Sequence, residues 1–321
     1  MSTATVDLTP PSPLVGHSRP RVLKNRIATV LVTSSFLVAL IPLVWVLWTV
    51  VSKGLSTIVH AGWWTGTTRN ITYKDPGGGA WAAIVGTLEQ VALCTAISVP
   101  LALMVGVYLV EYGGNAFARV TTFMVDILTG IPSIVAALFI FALMHETLHV
   151  SLSGWLVSLA LVILMVPVVV RSTEEMLRLV PNELREASYA LGIPKWRTIV
   201  KVVIPTALTG LITGIVLGIA RVAGETAPLL ILLSFSDSMN GNLFGGAQAA
   251  LPTLIRKQFG DAGQTSGVVQ YHLDKNGNRV PGAVANYAEG RLWAAALTLI
   301  LIILLLTLIA RIIGRFNKLE K

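Results

Sequence analysis

Long apolar runs alternate with short polar ones along this chain. They fall at 27–51 and at about 81–110, 119–144, 151–170, 205–235 and 292–313. Each approaches or exceeds the ~20 residues an α-helix needs to cross a bilayer, so the pattern predicts six spans. The fourth fits least well, being short and holding Pro167. Residues 1–26 are polar, carry Pro10, Pro11, Pro13 and Pro20, and are expected to be disordered. The first apolar run exceeds a signal-peptide core of about 7–15 residues and reads as a retained span. The spanning part is therefore 27–315, with a tail at 316–321.

Composition agrees. The chain is 54% hydrophobic and 12% charged, about half the charge of a soluble domain. Its net charge of +8 does not indicate nucleic acid, because the basic residues are dispersed between the spans. With the N-terminus inside, fifteen Lys and Arg fall on inside segments and eight outside, leaving Arg221 within a span. Five of the eight lie in one long loop, where charge influences orientation little. Both termini and the 171–201 loop are expected on the cytoplasmic side. Cys94 is the single cysteine, which excludes an intramolecular disulfide.

The outer loops give turns rather than chemistry. Trp63, Trp64 and Trp81 read as interfacial anchors. Asp75-Pro76-Gly77-Gly78-Gly79 is a turn and not a phosphate cradle, since no lysine in the chain precedes Ser or Thr. The chain therefore has no ATPase site. In the segment at about 236–290, alternation over Val268–Leu273, Asn276-Gly277 and Arg279–Val284 predict a small external hairpin at about 262–284. His145 and His149 flank Glu146, which suits a zinc site poorly and a metalloprotease not at all. No metal, bound cofactor or catalytic set is expected.

Between the fourth and fifth spans, the polar stretch 182–205 is patterned. Pro181 and Asn182 start a short helix, Leu184, Ala187, Ser188 and Leu191 form one stripe, and Gly192 stops it. Helix restarts after Pro194, with Trp196, Ile199, Val200 and Val203 apolar. The same residues would suit an amphipathic loop on a lipid surface. The spacing Glu186-Ala187-Ser188, Gly192, then Ile204-Pro205 resembles the coupling loop of ATP-binding-cassette importer permeases. Ser188, Val202 and Ile204 depart mildly from that pattern. The resemblance implies that Glu186, Ala187, Ser188, Gly192 and Pro205 serve docking to an ATPase subunit.

Charges inside spans are functional candidates. Arg221 and Glu225 stand at i and i+4 in the fifth apolar run, after glycines at 210, 214 and 218 that permit close packing. On a helix continuous from Ala207 to Ser234, about 42 Å long, Arg221 falls near the middle. A guanidinium fits a tetrahedral oxyanion, and Glu225 would hold it when the path is empty. A purely structural ion pair fits the same spacing. Glu89 and Asp126 are expected to be structural, and Pro132 and Pro228 to mark bends.

The run Arg221–Leu229, together with Gly130-Ile131-Pro132-Ser133-Ile134-Val135 and Arg171–Met176, resembles phosphate-specific importer permeases of the PstA type. The resemblance implies an all-α membrane protein with six transmembrane helices of the type I importer kind, a cytoplasmic coupling helix and a small external insertion. It implies a substrate pathway at Arg171, Arg221 and Glu225 in an inner-membrane phosphate permease supplying half of the path. The implied partners are a second homologous permease (PstC type), an ATP-binding subunit dimer (PstB type) that uses the ATP, and an extracytoplasmic phosphate-binding protein (PstS type). A permease for another oxyanion or polar solute is the nearest rival. A proton-coupled carrier using Glu225 is a rival of another class, and the coupling loop argues against it.

Overall fold

The computed structural model describes residues 19–263, 270–273, 279–282 and 286–319. Contacts divide the chain into two units, Met1–Thr49 and Val50–Lys321. Helix α1 runs Arg19–Ile58, so helix begins at Arg19, before the apolar run; residues 1–18 lie outside the described set. There follow α2 Ala61–Thr65, α3 Trp81–Glu111, α4 Ala116–Gly130, α5 Ser133–Ile140, α6 Gly154–Arg178 and α7 Asn182–Ala190. Then come α8 Lys195–Thr198, α9 Ile204–Ala223, α10 Ala227–Leu232, α11 Leu251–Gly263 and α12 Tyr287–Leu319.

Five helices are long and apolar enough to cross a membrane. A sixth span forms if the pair Ala116–Gly130 and Ser133–Thr147, bent by 106° at its break, is one broken span. The bend has a local cause. Pro132 has no N–H to continue the ladder and disfavours helix at Ile131, whose ψ is 125°. Six spans, all helical, agree with the sequence pattern.

The least comfortable span by sequence is the central one. Helix α6 is the most buried of the spans, and α3, α4, α5, α9 and α10 all pack on it. Pro167 lies buried within it without ending it. Two glycine notches grip one turn of α6. A Cβ on Gly106 of α3 would sit 2.5 Å from Thr173 Cγ2, and one on Gly214 of α9 would sit 1.8 Å from Ser172 Oγ. Gly210 and Gly218 make the same close approach to Met176 and Val169. The glycine row read from the sequence is thus the α9 face that meets α6.

Away from α7, the chain after α10 folds back into the bundle. Ala249, Ala250 and Leu251 are buried, and a Cβ on Gly86 would lie 2.1 Å from the Ala249 carbonyl oxygen. Helix α11 then packs on α12. The predicted hairpin is present as β1 Gln270–Leu273 and β2 Arg279–Gly282, antiparallel with Gln270 opposite Gly282. Its Asn276-Gly277 turn lies outside the described residues.

The notch gives a test of packing. Gly214→Ala should destabilise the folded subunit by ~1–3 kcal/mol through overpacking, and Ser172→Gly in the same chain should restore most of it. Thermal unfolding in detergent measures both; no recovery in the double variant would show that the contact is not close.

Candidate functional site

Arg221 does not pair with Glu225. Gly224 and Pro228 end α9 at Ala223, and the Gly224 and Glu225 amides turn back to the Arg221 and Val222 carbonyls at 3.3 and 3.2 Å. This i→i+3 closure takes Glu225 off the helix face, so the i, i+4 relation expected for a continuous helix is lost. Among the described residues no hydrogen bond or ion pair holds either side chain. Arg221 therefore lies in the last turn of α9, not near mid-helix. Pro205 to Arg221 spans about 24 Å of helix, within the ~30 Å of a hydrocarbon core.

The glycine row dictates where Arg221 points. Gly214, Gly218 and Val222 are buried against neighbours, while Thr213, Leu217 and Arg221 form an exposed stripe at four-residue intervals. Between that stripe and α12 lies a small cleft of about 130 Å³, lined by Thr213, Val216, Leu217, Ala220, Thr307 and Arg311 among others.

Arg171 is committed elsewhere. It reaches Asp126 of α4 through one nitrogen and Glu174 of its own helix at 2.6 Å through another. Glu174 is buried and also accepts from Arg178. Asp126 thus has the structural partner expected for it, across the α4–α6 contact. Arg171 and Arg221 are not brought together. Met176 meets Gly210, Ser172 meets Gly214 and Val169 meets Gly218, so α6 and α9 run antiparallel. Arg171 is then about level with residue 215, and Arg221 is about 9 Å further along the axis.

The coupling stretch folds as helix, glycine turn, helix. Gly192 has φ +75°, a left-handed conformation that disfavours side chains, and its amide bonds the Tyr189 carbonyl at 2.9 Å. The predicted stripe splits. Leu184, Ala187 and Leu191 are exposed, Leu191 at 80%, together with Trp196 and Val200. Ser188 instead faces inward and bonds Thr198 at 2.8 Å, so it stitches α7 to α8. Glu186 is exposed, and Pro205 stands at the first turn of α9.

Several anchors carried no sequence signal. Arg185 donates to Glu111 Oε1 from Nε at 3.1 Å and from Nη2 at 2.9 Å, and to the Val180 and Leu177 carbonyls. Far from α7, Gln248 donates to Glu89 at 2.9 Å and accepts from Gln90, so Glu89 faces protein. Trp63, expected as an interfacial anchor, is buried and donates to Thr298 at 2.9 Å. Arg291 is buried and donates to Gln258 and to the Thr72, Asp75 and Gly77 carbonyls. There the Thr72 hydroxyl and amide hold the Asp75 carboxyl below its ordinary value. His145 bonds the Val150 carbonyl, and the described residues contain no group of three or more metal-ligating acids, histidines or cysteines.

The arrangement is that of a membrane protein whose apolar helices are joined by polar loops. Residues 98–318 match the family described as binding-protein-dependent transport system inner membrane component, and the chain belongs to that family. It is 48% identical over 293 residues to the phosphate transport system permease protein PstA 1 of Mycobacterium tuberculosis, covering 91% of this chain and 89% of that one. The Mycobacterium leprae PstA is 55% identical, covering 73% and 77%, and the Yersinia pestis PstA 38%, covering 92% and 91%. Among solved structures, the inward-facing MetNI methionine ABC transporter matches with TM-score 0.52 and 19% identity, over 74% of this chain and 96% of that chain. The fold is thus that of an ABC importer permease. As a multi-pass inner membrane subunit of this kind, the chain carries no ATPase site.

Ser188 gives a test of the inward stitch. Ser188→Ala leaves Thr198 its 3.4 Å bond to the Pro194 carbonyl and should cost about 1 kcal/mol. Ser188→Leu has no room at a buried position and should unseat α7, read as new proteolytic cleavage within 182–194. Equal protection of both variants would place Ser188 on the outer face instead.

Proposed function

We propose that this chain is the permease subunit of an ATP-driven inorganic phosphate importer and forms half of its translocation path. The names of its relatives supply the substrate. The observation that carries the mechanism is Arg221: a permanent cation within a span, exposed, unpaired among the described residues, and on the α9 face that does not pack on α6. A charge inside a span costs free energy even away from the bilayer centre, so this arginine, in the last turn of α9, needs an anion, a partner or water. A phosphate passing between two permease subunits meets that need, with the guanidinium fork matching its oxygens. Glu225, released from the helix face, sets the approach on one side. Arg171, already neutralised by two carboxylates, supports the path by fixing α4 to α6 and lies nearer the α7 end.

The second permease, of PstC type, is expected to close the path over the Thr213–Leu217–Arg221 stripe. An ATP-binding dimer of PstB type docks on the face of Glu186, Ala187, Leu191 and Trp196, with Ser188, Gly192 and Pro205 holding that face in shape. An extracytoplasmic phosphate-binding protein of PstS type delivers the anion at the opposite end. On this reading both termini and α7 lie in the cytoplasm. The unequal distribution of basic residues supports that orientation. The spanning domain is 27–315, and the insertion lies at about 236–290.

Three measurements test this reading. Arg221→Gln should lower phosphate uptake per assembled complex by at least ~10-fold, the equivalent of about 1.4 kcal/mol, and Arg221→Lys should fall between it and wild type because the fork is lost. Wild-type uptake in Arg221→Gln would remove the guanidinium from the path. Gly192→Pro should uncouple ATP hydrolysis from uptake while the spans still insert; normal coupling would end the docking reading. A cysteine at Leu191 should react with impermeant reagents only from the cytoplasm, and one at Gly241 only from outside; the reverse would invert the topology.

A further inference from the structure

The docking face explains how an ATPase would hold this subunit, but not how movement would leave the loop. The geometry points to one joint: we infer that the Arg185–Glu111 ion pair passes displacement of α7 to α3, with both residues acting as positioning residues. The inference rests on the docking reading above.

Four observations carry it. First, the pair is built rather than incidental. Both Arg185 Nε and Nη2 bond one Glu111 oxygen, and the side chains are 12% and 5% exposed. Second, the remaining guanidinium donors are also used, on the Leu177 and Val180 carbonyls at the end of α6 and on Asn182 Oδ1 at 3.3 Å. The arginine therefore fixes α7 to two helix ends at once. Third, the other half of the loop reaches the same point. Lys195 donates to the Glu111 carbonyl and lies 4.5 Å from the Tyr112 ring centre. Both pieces of the coupling stretch, on either side of Gly192, thus converge on the last residue of α3.

Fourth, α3 leads somewhere. It is one helix of 31 residues, about 46 Å long. At its far end Gly86 lies against the Ala249 carbonyl, the Thr87 hydroxyl accepts from the Leu251 amide at 2.8 Å, and Glu89 accepts from Gln248. These contacts hold the end of the segment that follows α10, at Gln248, Ala249 and Leu251. A displacement of Glu111 along the α3 axis is therefore delivered to that segment, because α3 continues as one helix through Pro100, which removes one bond of the ladder without ending it. Surface ion pairs seldom matter, but here both partners are desolvated and removing one leaves the other charged and buried.

The experiment uses the complete importer in proteoliposomes with phosphate as substrate. Glu111→Gln and Arg185→Lys keep size at the joint but weaken it. Phosphate delivered per ATP hydrolysed should fall at least ~10-fold, in complexes that assemble in normal amount. The far end gives a second readout. A cysteine at Gly241, where an added side chain meets no atom, should change its labelling rate with ATP in the otherwise wild-type complex and lose that response in Glu111→Gln. An ion pair that merely stabilises the fold would lower the yield of complex but leave the ratio and the response intact, and that result overturns the inference, as does a wild-type complex with no ATP response at Gly241→Cys. If Glu111→Gln does not assemble, the ratio is read in Glu111→Asp, which keeps the charge but withdraws it by one methylene; an unchanged ratio there is equally fatal. Cross-linking of Leu191→Cys to the ATPase separates the two readings. A cross-link with normal coupling in the variants defeats the joint alone, and no cross-link even in the wild-type background defeats the docking reading.

Discussion

The close clasp of α6 between two glycines is the constraint on which the other features rest. Ser172 and Thr173 occupy adjacent positions, one against Gly214 of α9 and the other against Gly106 of α3. No larger residue fits either notch without moving a helix. Apolar side chains gain little from leaving lipid for protein, so association in a membrane depends on such close contact. Once α9 is seated this way, its Thr213, Leu217 and Arg221 side chains have only the free face to occupy. Once α3 is seated, Glu111 arrives beneath α7. The clasp thus fixes both the exposed cation and, at the α7 end, the joint of the coupling loop.

The charges then sort by whether this subunit satisfies them. Arg171, Arg185 and Arg291 are each met by carboxylates or by carbonyl groups. Arg221 is not met among the described residues. Burying an arginine with full compensation is a structural act, whereas holding one uncompensated at membrane depth is costly. The same contrast separates Ser188 from its neighbours on α7. The serine is consumed internally, while Leu184, Leu191 and Trp196 are exposed.

Sequence made the span plan legible because membrane crossing demands long apolar runs, and nothing else in the chain produces them. It also marked the kink at Pro132, the turn at Gly192 and the glycine row, since each depends on one residue type with one physical property. The hairpin was visible from alternation. What escaped was tertiary. Glu111 and Arg185 are separated by 74 positions, and nothing local to either predicts the other. Helix α11 was missed within a Gly-rich segment, although Leu251, Leu254 and Gln258, all buried, stand at three- and four-residue intervals. The Arg221–Glu225 pair was inferred from spacing that holds only if helix continues, and Gly224 with Pro228 ends it. Trp63 shows the same limit: composition suggested an interface, and packing against Thr298 decided otherwise.

The most direct test asks what the free face of α9 touches in the assembled importer. Leu217 lies one helical turn from Arg221 on the same stripe and is 63% exposed, whereas Val222 is 1% exposed. Cysteines at the two positions should differ. Leu217→Cys should react with a small water-soluble thiol reagent at a rate slowed by phosphate, and Val222→Cys should not react. Reaction of Leu217→Cys with lipid-soluble maleimides alone, unaffected by phosphate, would place that face in the bilayer and contradict the account.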